Sequence, residues 1–404
     1  MQLTRRELIL GAAALPALAA PKPAARPGIV LIVVEDLGAW MLGCYGNSDI
    51  RTPAMDLLAR SGTRFINSYA AAGTAAPGRA SLLAGLAPRQ LPVSLESVPS
   101  LADVLSGAGY QSAFTGAWAS ESKPHGFSSV ELSGDFAEVT AKASAFIDAR
   151  KPGQPSLQVV SYTLSGAVPA KYLDAYASVP FNNLGWEPAS ARATNREALR
   201  DTVASIRKAA AAVTAIDDQV AALVRKLDER GLRDETLIVL TGSNGSLLGR
   251  HGLWGDSRGG NPPAMFEEVV SVPLVWQWHG RTAPEALRPE FVSALDLAPA
   301  LAELTGAPLP QGRKLPGRSY LPAVLNRPFP KKAPWRSQVF AESGGSIMMR
   351  DKRYKLVQHA SGPGELYDVL NDRRERVNQY VNPQFVTIRD ELYAEIDTWK
   401  KSLA

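Results

Sequence analysis

One stretch near the start of the chain constrains the fold more than any other. Residues 28–34 read GIVLIVV, an unbroken run of apolar and mostly β-branched residues. A strand with one exposed face alternates apolar and polar residues, whereas an unbroken apolar run is typical of a parallel strand that is buried on both faces. Helices must then cover both sides of the sheet. The sequence therefore predicts an α/β fold with a central, mostly parallel sheet.

Polar groups that suit a binding site follow in two places. Glu35 and Asp36 come directly after the predicted strand, where open α/β sheets bind their ligands. Farther on, residues 73–85 read GTAAPGRASLLAG, a loop of small residues that leads into a helix with Arg79 in its first turn. A helix N-terminus offers unpaired N–H groups, and a guanidinium matches a tetrahedral oxyanion. This stretch predicts an anion-binding site.

Composition excludes several classes of protein. A length of 404 residues suffices for one large core and a smaller second domain. The net charge of +5 comes without a long Lys/Arg run, so we expect no nucleic-acid binding, while anionic substrates remain compatible with it. Cys44 is the single cysteine, which excludes intrachain disulfides and cysteine-rich metal sites.

The first 20 residues have the pattern of a twin-arginine signal peptide. Arg5 and Arg6 precede an apolar stretch that ends in the A-x-A cleavage pattern of residues 17–19. The apolar run is short and contains Pro16, so we expect no transmembrane anchor. We predict export to the periplasm or cell surface; the alternative is an ordinary N-terminal helix.

Residues 73–85 resemble the sulfatase signature, in which Cys or Ser, any residue, Pro, any residue and Arg lead into A-S-L-L-[TA]-G. The matching residues are Pro77, Arg79, Ala80, Ser81, Leu82, Leu83 and Gly85. Sulfatases oxidise the Cys or Ser to formylglycine, their nucleophile, and this chain has Ala75 at that position. The resemblance therefore implies the family's site without formylglycine.

The resemblance extends over nearly the whole mature chain and implies its architecture. We expect an alkaline-phosphatase-like α/β/α sandwich with a large, mostly parallel sheet over residues 27–326. A small C-terminal subdomain, residues 336–404, is expected to hold an antiparallel sheet and a closing helix. The Pro-rich residues 327–335 mark the predicted boundary.

Sulfatases bind a divalent cation through three aspartates and an amide. The matching positions here are Glu35, Asp36, Ser243 and Asn244, so one carboxylate is lost and another is longer by one methylene. The number of charged ligands and the shape of the site set calcium affinity. We therefore expect calcium or magnesium to bind weakly or not at all.

Other positions that contact the sulfate in the family are also replaced. The family's G-K-W-H turn has Ala117 and Ala119 in place of Lys and His, and Asp256 stands where the family has a lysine. Arg79, His251 and Arg258 remain as candidate substrate contacts.

These substitutions favour a sulfatase-fold protein that has lost catalysis and binds a sulfated or acidic glycan near Arg79. One alternative is an active metal-dependent ester hydrolase that uses Thr74 or a metal-activated water. Thr74 lies one residue too far from Pro77 for that role, and we interpret its hydroxyl as a helix N-cap or turn group. A further alternative is an accessory subunit whose contact region is the surface excursion predicted for residues 173–196.

Overall fold

The computed structural model describes residues 26–92, 98–118, 123–151, 153–182 and 184–403. This part of the chain forms a large sheet between two layers of helices, together with a small antiparallel sheet. The predicted signal peptide, residues 1–20, lies outside it. Within the described ranges, no helix is both long and apolar enough to span a bilayer.

Eight strands of the described chain make up the large sheet. They are β1 Gly28–Glu35, β2 Thr63–Tyr69, β3 Gln111–Gly116, β4 Ser129–Leu132, β5 Ser156–Thr163, β6 Thr236–Gly242, β7 Leu274–Trp278 and β8 Ala286–Ser293. Their spatial order is β4-β3-β5-β1-β6-β7-β2-β8. β7 is antiparallel to β6 and β2, and the other neighbouring pairs are parallel.

Helices cover both faces of this sheet. The α-helices of the described chain are α1 Pro53–Arg60, α2 Ala75–Ala84, α3 Leu101–Ser106, α4 Phe136–Ala149, α5 Ala170–Ala175, α6 Thr202–Glu229, α7 Glu267–Val270, α8 Leu297–Thr305, α9 Leu321–Val324 and α10 Val386–Ser402. α2, α3, α8 and α9 pack on one face, whereas α1, α4 and α6 pack on the other.

Strand β1 lies in the interior of the sheet and contacts both helical layers. Its alternate residues Ile29, Leu31 and Val33 belong to the core on the α2 side, and Val30, Ile32 and Val34 belong to the core on the α6 side. Each of these six side chains is at most 4% exposed. The prediction of a central strand that is buried on both faces is confirmed.

The C-terminal part forms the second sheet. Its antiparallel strands are β9 Val339–Ser343, β10 Ser346–Arg350, β11 Tyr354–Gln358 and β12 Glu365–Asp368. The closing helix α10 buries Leu392 and Ile396 against one face of this sheet. The opposite face packs on residues of the large domain, including Tyr69 and Phe291. The predicted fold class is confirmed.

The small sheet also holds the loop that precedes α2. The backbone N–H of Glu342 in β9 donates to the carbonyl of Ala71 (2.9 Å), and the N–H of Gly73 donates to the carbonyl of Glu342 (3.3 Å). On the other side, the N–H of Ser257 donates to the carbonyl of Gly73 (3.0 Å). The position of the loop therefore depends on both parts of the chain.

The expectation of a surface excursion over residues 173–196 is wrong in part. Its beginning belongs to α5, and Tyr176, Phe181 and Leu184 are each at most 4% exposed. These apolar residues pack into the core on the α6 side. Their irregular spacing gives no helical or strand period, which is why the sequence pattern did not indicate their burial.

Gly78 determines how closely α2 approaches the end of β6. A Cβ atom at this position would lie 2.2 Å from the carbonyl oxygen of Ser243, a backbone atom that cannot move away cheaply. We expect Gly78→Ala to lower the free energy of unfolding by about 1–3 kcal/mol, although alanine favours helix. Urea denaturation measures this. Gly134→Ala is the control, because a Cβ there meets open space, and an equal effect of both variants would contradict close packing at Gly78.

Candidate active site

The ends of two adjacent strands, β1 and β6, bring predicted site residues together. In the parallel register, Glu35 lies opposite Thr163 of β5, and Val34 lies opposite Gly242 of β6. The residues that follow β1 and β6 therefore meet at the same edge of the sheet. The N-terminal half of α2 lies against this edge through Gly78.

Arg79 is buried in an ion pair with Glu35. Its side chain is 1% exposed, and Nη1 donates to Glu35 Oε1 and lies 3.4 Å from Ser161 Oγ. The guanidinium carbon is 4.8 Å from the ring centroid of Trp118. Burial lowers the pKa of Arg79 to about 10, so the group remains charged at neutral pH. We expected this guanidinium to hold an external anion; in the structure, the carboxylate of Glu35 neutralises it.

The nucleophile position is chemically inert. Ala75 is the first residue of α2, and its methyl group cannot attack an ester. Thr74 occupies the N-cap position, as interpreted from the sequence, but its hydroxyl makes no capping hydrogen bond. Ala117 lies with Glu35 in the lining of a side cavity of about 430 Å³. Ala119 lies outside the described residues.

The cation ligands of the family are replaced by a hydrogen-bonded group. Asn244 Nδ2 donates to Asp36 Oδ1 (2.7 Å), while Asn244 Oδ1 accepts from Ser243 Oγ (3.0 Å) and from the Asp36 backbone N–H (3.2 Å). The amide oxygen that would face a metal thus already has two donors, and the carboxylate of Glu35 pairs with Arg79.

This set of donors does not fit a calcium ion. Calcium takes six to eight oxygen ligands, several of them carboxylates. Across the described ranges, no group of three or more His, Cys, Asp or Glu side chains is arranged to hold a metal.

Asp36 is the carboxylate that faces the main cleft. Its backbone is left-handed (φ 63°), a conformation that Asp and Asn adopt more readily than most residues. Burial, together with the charge of Asp256, raises the pKa of Asp36 to about 6, although the Asn244 hydrogen bond and the charge of Arg258 act in the opposite direction.

The cleft has a volume of about 730 Å³ and a mostly polar wall. It is lined by Asp36, Leu164, Ser165, Thr194, Asn195, Ala198, Ser205, Lys208, Ala209, Ser246, Leu248, Trp254, Gly255, Asp256, Arg258 and Gly259. Sequence reasoning missed the part of this wall that residues 194–209 supply. A polar loop before a helix carries no motif, and only the packing of α6 against the sheet brings it to the cleft.

The two other candidate substrate contacts differ in their positions. Arg258 lines the cleft and forms an ion pair with Asp256 (Nη2 to Oδ2, 2.7 Å), and its side chain is 78% exposed. His251 lies outside the cleft lining. Its ring stacks on Phe266 with centroids 3.6 Å apart, and Nε2 is 3.3 Å from Glu268 Oε2. The structure therefore places Arg258, and not His251, where a ligand in this cleft would touch it.

The contacts of Glu268 predict a pH dependence of stability. Burial favours a raised pKa, but His251 and Arg250 hold the pKa of Glu268 at about 2, below its ordinary value of 4.5. A lowered pKa stabilises the fold above about pH 4.5, and this stabilisation is lost as the pH falls from 4.5 towards 2. We expect Glu268→Gln to flatten the decline in stability over that range, as measured by urea unfolding. The exposed Glu303→Gln is the control, and equal slopes for all three proteins would contradict the assignment.

Comparisons with known proteins show the family to which the chain belongs. Residues 27–307 match the family model described as Sulfatase, and residues 249–402 match the model for the C-terminal part of N-sulphoglucosamine sulphohydrolase. Human arylsulfatase A is 27% identical, with 87% of this chain and 77% of that protein covered. An ulvan-active sulfatase of Formosa agariphila is 24% identical, with 92% and 80% covered.

Solved structures show the same fold. The structure of BT4656 in complex with its substrate, D-glucosamine-2-N,6-O-disulfate, superimposes with a TM-score of 0.81 at 21% identity, covering 94% of this chain and 98% of that one. A phosphonate monoester hydrolase of Agrobacterium radiobacter superimposes with a TM-score of 0.74 at 20% identity, covering 94% and 96%. Since the Sulfatase model spans more than half of the chain, the protein belongs to the sulfatase family of the alkaline-phosphatase superfamily, whose general activity is sulfuric ester hydrolysis.

Proposed function

We propose that this protein is an exported sulfatase-family member that binds a sulfated or acidic glycan without hydrolysing it. One observation carries the proposal: the carboxylate of Glu35 neutralises Arg79 on the helix that begins at Ala75. The position that should supply the nucleophile has a methyl group, and the guanidinium that should meet the substrate's charge already has an internal partner.

The expected loss of rate is large. Removal of a catalytic nucleophile has cost about a million-fold in a well-studied hydrolase, and tuning of a pKa cannot replace a missing lone pair. Loss of the cation and of positioned proton donors removes further stabilisation of the transition state. These contributions overlap and are not additive. Because the nucleophile is lost together with them, we expect hydrolysis at the level of the uncatalysed reaction.

Support for glycan binding comes from the cleft and from the relatives. Hydroxyl and amide side chains, among them Thr194, Asn195 and Ser205, can exchange hydrogen bonds with sugar hydroxyls, and Trp254 offers an apolar face. Among the similar proteins is an N-acetylglucosamine-6-O-sulfatase of Bacteroides thetaiotaomicron, which is 24% identical. A sulfated amino sugar is therefore a reasonable first ligand to test.

The test combines binding with recovery of the ligand. A heparin-type sulfated tetrasaccharide is titrated into the full chain by calorimetry, and the sugar is then recovered and weighed by mass spectrometry. We expect saturable binding and an unchanged mass. Release of more than one sulfate per protein molecule would overturn the proposal, and loss of that release in Thr74→Ala or in EDTA would identify the hydrolase alternative responsible. Absence of binding would favour an accessory subunit.

A further inference from the structure

The cleft has an uneven distribution of charge. Two carboxylates, those of Asp36 and Asp256, line it and lie close enough for one to raise the pKa of the other. Asp256 is 6% exposed, whereas its partner Arg258 is 78% exposed and extends toward solvent. The inner wall therefore carries negative charge, and positive charge lies farther out.

The inner wall also contains a hydrogen-bond acceptor, Oδ2 of Asp36. Asn244 donates to Oδ1 of Asp36, and none of the described residues donates to Oδ2. The nearest strong cation of the family's site, Arg79, is neutralised by Glu35. A sulfate placed against this wall would meet the carboxylates of Asp36 and Asp256 beside one cation, Arg258, which already pairs with Asp256.

An exposed charge in the lining of the same cleft has the opposite sign. Lys208 lies on α6 with an exposed side chain and forms no ion pair with any described residue. A flexible ammonium group at the mouth of a cleft can meet an anionic substituent without a large desolvation cost. The hydroxyl and amide side chains of Thr194, Asn195 and Ser205 line the same cleft as Asp36 and Lys208.

We propose that the cleft binds an amino sugar with its protonated amine against Asp36 and with its sulfate or carboxylate against Lys208. This inference rests on the proposed glycan binding and reverses the orientation that a sulfatase substrate would take, because the acidic substituent points away from Arg79. The ligand class is a glycan with unsubstituted amines and acidic groups.

The test compares two matched sugars by calorimetry on the full chain: a 6-O-sulfated glucosamine tetramer with free amines, and the same tetramer with N-acetyl groups. We expect the free-amine tetramer to bind about tenfold more tightly or better, as for a charge-assisted hydrogen bond. Asp36→Asn should abolish that preference, and asparagine tolerates the left-handed backbone at this position. Lys208→Gln should weaken both tetramers.

Matched controls keep the outcomes distinct. Asp174→Asn and Lys331→Gln change exposed residues outside the cleft and should leave both affinities unchanged. Equal or tighter binding of the N-acetyl tetramer would overturn the inference while leaving glycan binding intact. Failure of both tetramers and of the heparin-type tetrasaccharide would overturn the inference together with the proposed function.

Discussion

Glu35→Ala is expected to lower the free energy of unfolding by about 3–5 kcal/mol, because it leaves the charge of Arg79 buried without a counter-ion. The guanidinium is 1% exposed, and its Nε already lacks a hydrogen-bond partner among the described residues. Ser161 at 3.4 Å and the ring of Trp118 cannot replace a carboxylate. Urea denaturation of the two proteins measures the difference.

Two controls separate the ion pair from simple loss of packing. Addition of Arg79→Met to Glu35→Ala should recover much of the lost stability, because an apolar side chain replaces a buried charge. Loss of the exposed Arg200–Glu197 pair in Arg200→Ala should cost less than about 1 kcal/mol. If Glu35→Ala costs no more than Arg200→Ala, the carboxylate of Glu35 does not hold Arg79.

The same variant also tests whether Glu35 acts as an internal anion. Once the carboxylate is gone, added sulfate should stabilise Glu35→Ala by binding to Arg79, and it should do so less in the wild type. Sodium chloride at matched ionic strength controls for screening. An equal response of both proteins to sulfate would contradict this role.

Restoring the metal ligands is expected to create calcium binding. In the double variant Glu35→Asp/Ser243→Asp, the shorter side chain at position 35 releases Arg79. The site then has aspartates at positions 35, 36 and 243 beside Asn244. Calcium at about 100 times its dissociation constant stabilises a folded protein by about 2.7 kcal/mol, which is a rise of a few °C in the melting temperature. The wild type should show no such rise. Thermal melting with calcium and with EDTA measures both.

The single variant Glu35→Asp and a sodium control complete this experiment. Glu35→Asp alone retains the Ser243–Asn244 hydrogen bond and should respond weakly, because charge count sets calcium affinity. Sodium at matched ionic strength excludes a general salt effect. A clear calcium shift in the wild type would contradict our conclusion that its donors do not fit the ion.

The architecture could be predicted because each sequence pattern that indicates a strand or helix lies within a short segment of the chain. The apolar run of residues 28–34 indicated the central strand, and the signature within residues 73–85 indicated helix α2. The partner of Glu35 was not predictable in this way. The sequence shows that Glu35 is one methylene longer than the aspartate of the family. The contact of its carboxylate with Arg79, 44 residues away, depends on how closely Gly78 lets α2 approach β6.

The positions of the cleft residues illustrate the same limit. Lys208 belongs to a helix whose period is evident, yet nothing in that period indicates which polar residue faces the sheet edge. Thr194 and Asn195 lie in an irregular segment without a period. His251 was assigned from resemblance alone, and its left-handed backbone (φ 57°) and its stacking on Phe266 place it outside the cleft.

The central claim is that this site has lost ester hydrolysis, and turnover of 4-nitrophenyl sulfate, phosphate and phosphonate esters tests it most directly. The purified protein is assayed with calcium, with magnesium and with EDTA, beside Thr74→Ala and Asp36→Ala. The account predicts rates equal to those of buffer for all three esters and all three proteins. Turnover by the wild type that both substitutions abolish would contradict it.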